Sequence, residues 1–206
     1  MPYVDTVILR YAWNRDTCNR LFGERECQRL IPREYYRFYD ERAEKEIIDF
    51  LNKNEPLVIN KRILLKDLPP INDLSGSSIA GATGIITKVK NVVLGSLDEE
   101  TAFKKGKEIL SEGCKAMSES ILNREQKVHY DIFCEGSELK PINRIVEGLR
   151  EIRMKRASID GLKRDIAHLG SAFYLDKRKE FVTIDKDFLG FKPFVKKVKI
   201  RRPSDY

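Results

Sequence analysis

The sequence has little from which to build a zinc centre. It holds two histidines, His129 and His168, and four cysteines, Cys18, Cys27, Cys114 and Cys134, with no C-x-x-C pair among them. A Cys114, His129, Cys134 cluster lacks a fourth ligand, so free thiols in a reducing compartment are the expectation. No segment is long and apolar enough to cross a bilayer, and the start, Met1-Pro2-Tyr3-Val4-Asp5, lacks a basic stretch followed by an apolar one. A soluble, cytoplasmic protein with no membrane partner is expected. The Gly- and Ser-rich stretch 73–84 lacks the G-x-x-x-x-G-K sequence that cradles phosphates, so it reads as a lid or linker.

What is abundant is charge. Thirty-nine Lys and Arg against thirty-two Asp and Glu give a net charge of +7 over 206 residues, with 34% of the chain charged. A polyanionic partner fits this balance, and so does the charge-rich surface of a heat-tolerant protein. With 41% hydrophobic residues, the length suits a single domain, 1–206, able to bury a core.

Apolar periodicity gives alternating elements. Residues 3–9 read as a buried strand carrying a carboxylate. A helix entered at Pro32 runs to about Asn54, with Tyr35, Phe38, Tyr39, Ala43, Ile47, Ile48 and Leu51 at helical spacing. Residues 56–60 form a second strand and 63–68 a short helix stopped by Pro69-Pro70. Helices are predicted over 97–122, 141–156 and 162–177, and strands over 180–185 and 195–200, with a turn or short helix at 186–189. Alternating strands and helices predict an α/β fold with a mostly parallel sheet, whose reactive groups collect beyond the strands' carboxyl ends. Residues 70–155 form an enlarged loop and helical region.

Four acids fall at that edge. Asp5 and Asp185 stand at strand ends, Asp67 in the helix after the second strand, and Asp165 near the start of the helix before the strand at 180–185. Two carboxylates about 4 Å apart repel by roughly 4 kcal/mol at an effective dielectric near 20. Such a cluster calls for a cation, and an oxygen-only set suits Mg²⁺ or Mn²⁺, which support phosphodiester hydrolysis. Singly, each acid also has a plain structural explanation. Asp5 can cap a helix beginning near Val7, Asp67 can be a surface helix residue, Asp165 can complement a helix dipole and Asp185 can form a turn.

At these positions the chain resembles the PIN-domain family of metal-dependent nucleases. The N-terminal strand ends in Val4-Asp5-Thr6. The aspartate-headed helix reads Asp165-Ile166-Ala167-His168-Leu169-Gly170-Ser171-Ala172. The T-x-D-x-D-F segment is Thr183-Ile184-Asp185-Lys186-Asp187-Phe188, and the last strand and proline-containing tail span 198–205. The resemblance covers both ends of the chain and not residues 70–155. It implies a three-layer α/β/α sandwich and Mg²⁺- or Mn²⁺-dependent cleavage of RNA. Asp5, Asp165 and Asp185 would be metal ligands, Asp187 a further ligand or a supporting carboxylate, and Thr183 a polar orienter. The family's usual glutamate after the second strand is matched only by Asp67, and its polar residue near the first aspartate by Val7.

The resulting expectation is a ribonuclease, either the toxin of a toxin–antitoxin pair or an RNA-processing enzyme. Its expected partners are RNA, a protein antitoxin or other regulator, and a second copy of the chain in a homodimer. A degenerate PIN domain that binds RNA or protein without cutting is the alternative, motivated by Asp67 and Val7. A structure-specific DNA nuclease is a third reading. Lys61-Arg62, 153–156, Arg164, 177–179 and Lys186 offer cationic approaches for phosphates, and Trp13, Tyr35 and Tyr36 offer stacking surfaces.

Overall fold

A computed structural model describes residues 1–12, 19, 24–25, 41–53, 56–67, 92–130, 134 and 159–206. The lid or linker at 73–84, the helix expected at 141–156, the first part of the helix entered at Pro32, and Trp13, Tyr35, Tyr36, Cys18 and Cys27 lie outside the described residues. So do the basic run at 153–156 and about half of the region 70–155.

Five short strands form one parallel sheet. They are β1 (Tyr3–Val4), β2 (Leu57–Asn60), β3 (Val92–Gly95), β4 (Glu180–Val182) and β5 (Lys199–Arg201), in the order β3-β2-β1-β4-β5. All four pairings are parallel. Buried on both faces, β1, β2 and β4 consist almost wholly of apolar side chains, as a sheet covered by helices requires. The fold class is therefore α/β, with β1 at the centre.

Between the strands lie α1 (Thr6–Ala12), α2 (Glu41–Asn52), α3 (Lys61–Asp67), α4 (Glu99–Ser118), α5 (Arg124–Tyr130), α6 (Ile159–Leu175) and α7 (Lys186–Phe191). Three differences from the sequence reading have physical causes. The first strand ends at Val4, and Val7, Ile8 and Leu9 belong to α1, because a short apolar run fits a buried helix as well as a buried strand. The strand at Val92–Gly95 had not been expected; it follows the Gly- and Ser-rich stretch and presents only four residues of pattern. The last strand covers only the end of the predicted 195–200 run.

α4 matches its expected span closely. Asp98 caps it, its carboxylate accepting the Thr101 N–H at 2.7 Å, and Glu99 and Glu100 sit in the first turn. α6 is the helix that carries the candidate site; it packs along α4 and against β1, β2 and β4. Gly106 and Gly170 let the two backbones meet. A Cβ at Gly106 would lie 1.9 Å from the Ile166 carbonyl oxygen, and one at Gly170 would lie 1.8 Å from that of Ala102. Tyr3, Ile8, Ile59, Leu110, Leu169, Phe181, Phe188 and Phe191 are among the fully buried side chains of the core.

The expectation of free thiols fails for two of the four cysteines. Cys114, in α4, is bonded to Cys134 with their Cα atoms 5.5 Å apart. Those two sulfurs are thus withheld from any metal, which removes the Cys114, His129, Cys134 alternative. Among the described residues, no helix is long and apolar enough to cross a membrane.

Candidate functional site

The carboxyl ends of β1 and β4 meet where the chain's direction of travel across the sheet reverses. The order runs β1, β2, β3 to one side and β4, β5 to the other, so β1 and β4 flank the topological switch point, beyond whose carboxyl ends sheets of this kind open a crevice. Asp5 follows β1 and Thr183 follows β4, and the register Val4 to Val182 places them side by side. The Asp5 N–H donates to the Val182 carbonyl at 2.9 Å, and the Thr183 N–H donates to that of Arg201 at 3.0 Å, so both residues extend the sheet by one position.

This register determines the first contact of the site. The buried Thr183 hydroxyl donates to Asp5 Oδ2 at 2.6 Å and accepts the Asp185 N–H at 3.0 Å. Asp5 Oδ1 accepts the Val7 N–H at 3.2 Å, and Asp185 Oδ1 accepts that of Asp187 at 2.9 Å. Asp5 therefore does cap the helix that follows it, as its structural explanation anticipates, and Asp185, expected to form a turn, caps α7. Capping engages one oxygen of each and leaves their charge at the crevice.

Asp165 arrives on α6, and it is where the crowding of carboxylates registers. Its side chain keeps some access to solvent. Even so, burial first, then the charges of Asp185 and Asp5, hold its proton affinity well above the ordinary carboxylate range. Asp5, Asp165 and Asp185, far apart in sequence, thus lie within electrostatic reach of one another. Asp187 stands beside them in the first turn of α7.

Asp67, at the end of α3, has a different setting. Arg164 Nε donates to its Oδ1 at 2.6 Å, while Thr6 Oγ1 at 2.9 Å and His168 Nε2 at 3.0 Å lie on its Oδ2. Burial alone would raise its pKa. The hydrogen bond and charge of His168, with the hydrogen bonds from Thr6 and Arg164, bring it down to about 2. Arg164, read from sequence as an approach for phosphates, is here an ion-pair partner. Lys61, Arg62 and Lys186 are exposed.

Sequence reasoning missed His168 as a member of this site. It is 1% exposed, with Nδ1 2.8 Å from the Tyr3 hydroxyl and Nε2 3.8 Å from Asp5 Oδ1. Burial works against its protonation, but the bond to Asp67 and the charges of Asp5, Asp67 and Asp165 outweigh it and raise its pKa. Behind it, Tyr3 accepts the Asn60 N–H at 3.4 Å, and the Asn60 amide donates to Ser171 Oγ at 3.0 Å. The available signal was spacing: residues three apart share a helix face, so Asp165 and His168 point the same way.

The donor set consists of aspartate oxygens, which fits a hard divalent cation such as Mg²⁺ or Mn²⁺. Among the described residues, no group of three His, Cys, Asp or Glu side chains is already drawn together as a metal-binding cluster. Compared with known proteins, the chain matches no family model, and no curated protein or solved structure matches it significantly.

Proposed function

We propose that this chain is a Mg²⁺- or Mn²⁺-dependent ribonuclease of the PIN-domain type, with the family's three-layer α/β/α arrangement, working in the cytoplasm. One observation carries the reading: Asp5, Asp165 and Asp185 lie within mutual electrostatic reach at the carboxyl edge of an all-parallel sheet, at its topological switch point. The net charge of +7 supports a polyanionic substrate.

Asp5, Asp165 and Asp185 would hold the metal, with Asp187 beside them. A bound Mg²⁺ or Mn²⁺ would activate water and offset charge on the scissile phosphate. Thr183 holds Asp5 at a fixed angle by donating to Oδ2, and through the Asp185 N–H it ties the two acids together. The helices started by Asp5 and Asp185 keep each carboxylate anchored through one oxygen. Exposed Lys61, Arg62 and Lys186 would guide RNA phosphates toward the acidic crevice. RNA processing and the toxin role, the latter with an antitoxin partner or a homodimeric form, use this same chemistry.

Labelled single-stranded RNA incubated with the protein and Mn²⁺ tests the reading. Cleavage is expected, and Asp185→Asn should lower it by more than about 100-fold, beyond the usual cost of losing an outer hydrogen bond, while melting stays cooperative. Binding of RNA without cleavage would favour a non-cutting RNA-binding module, the reading that Asp67's engagement by Arg164 and His168 supports. Preferential cutting of flapped DNA would move the substrate to DNA.

A further inference from the structure

Asp5 accepts hydrogen bonds from the neutral Val7 N–H and Thr183 hydroxyl, whereas Asp67 is ion-paired with an arginine. A carboxylate offers about four lone-pair sites. At Asp67, Arg164 Nε takes one on Oδ1, and Thr6 Oγ1 and His168 Nε2 share Oδ2. One of these donors is always cationic and would sit against any metal placed on the same oxygens. His168 is itself fixed from behind. Its Nδ1 lies 2.8 Å from the Tyr3 hydroxyl, on the ring edge away from Asp67, and that hydroxyl accepts the Asn60 N–H.

The contact that transmits this arrangement is Thr6. It directly follows Asp5, and its hydroxyl is tethered to Asp67 at 2.9 Å. Asp5 is thereby held from two sides, through Thr6 by Asp67 and through its own Oδ2 by Thr183 at 2.6 Å. We infer that Asp67 and His168 are a positioning pair that fixes Asp5 through Thr6, and that Asp67 is not itself a metal ligand. This rests on the metal-dependent nuclease reading. It assigns to the acid after the second strand a role its place in the sequence would not suggest, and it gives the buried histidine a purpose.

Binding of Mn²⁺ alone, followed by electron paramagnetic resonance on the full chain, tests the assignment without recourse to cleavage. Asp185→Asn, which removes a ligand, should weaken binding by more than about 100-fold, whereas Asp67→Asn and His168→Ala should weaken it by about 10-fold. The number of ions bound should stay the same in the latter two. His168→Gln, whose amide can still donate to Asp67, should recover most of the loss. Thr6→Val, close in volume to the native residue, breaks the same tether and should reproduce the 10-fold effect even if Asp67→Asn does not melt cooperatively. If Asp67→Asn loses an ion or falls as far as Asp185→Asn, Asp67 is a ligand; the inference is then overturned and the nuclease reading stands. If Asp67→Asn, His168→Ala and Thr6→Val all bind like wild type, there is no positioning pair. A wild-type chain that binds no Mn²⁺ overturns both.

Discussion

The two sides of the crevice handle negative charge in opposite ways. At Asp67 the protein supplies its own compensation, with Arg164, His168 and Thr6 all donating to one carboxylate. At Asp165 it supplies burial and further negative charge from Asp185 and Asp5, and the carboxyl group holds its proton tightly as a result. One side is electrostatically complete within the chain. On the other, burial and the charges of Asp185 and Asp5 outweigh the opposing charge of His168, so that side gains from a proton or an added cation. A carboxylate cluster in sequence thus says little until its cationic neighbours are known.

The contrast can be broken most forcefully at Asp67. Asp67→Ala leaves Arg164 beside a buried His168 with the anion gone, and urea unfolding should show a loss of about 3 kcal/mol or more, the cost of breaking a largely buried pair from one end. Next comes the response to metal. Mn²⁺ at 100 times its dissociation constant should stabilise the wild type by about 2.7 kcal/mol, seen as a rise in melting temperature, and Asp165→Asn should abolish that rise. In the metal-free protein the same Asp165→Asn should do the reverse of Asp67→Ala and stabilise the fold, because it removes a buried carboxyl group repelled by Asp185 and Asp5.

The pH dependence comes last, and here the two sides differ in sign. Asp67, lowered from 3.8 to about 2, contributes stability that is present above pH 3.8 and lost as pH falls through 2. Asp165 is raised, so the metal-free fold is most favoured below 3.8 and loses stability as pH rises through the folded value. His168 is also raised, and its contribution is complete below 6.5 and lost as pH rises through its folded pKa. Chemical denaturation of the metal-free chain should therefore show a decline on the alkaline side of pH 6.5 that His168→Gln flattens. A profile with no such decline would count against the imidazole's place among the acids.

Much of the sheet could be read from the chain. Residues 56–60 and 180–185 announce buried strands by their apolar runs, and the structure has strands in both places. The acids at the carboxyl edge were legible for the same reason, since alternation of strands and helices fixes which end of each strand shares an edge. What was not legible depends on contacts remote in sequence. Arg164 lies 97 residues from Asp67, and Tyr3 lies 165 from His168, and no local pattern announces such pairs. The bond between Cys114 and Cys134 was hidden likewise, because spacing alone does not give connectivity. Val7, Ile8 and Leu9 misled because burial leaves the same apolar signature on a helix and a strand.

The meeting of α4 and α6 at Gly106 and Gly170 bears on how finely the acidic lip can be set. Each helix seats a carbonyl of the other in the notch left by a missing side chain. A shift of α6 by one residue, about 1.5 Å along its axis and a rotation of roughly 100°, would drive a neighbouring side chain into that carbonyl. The notches therefore act as a stop that indexes α6 against its neighbour, and repulsion among the carboxylates cannot be relieved by letting the helix slide or turn away.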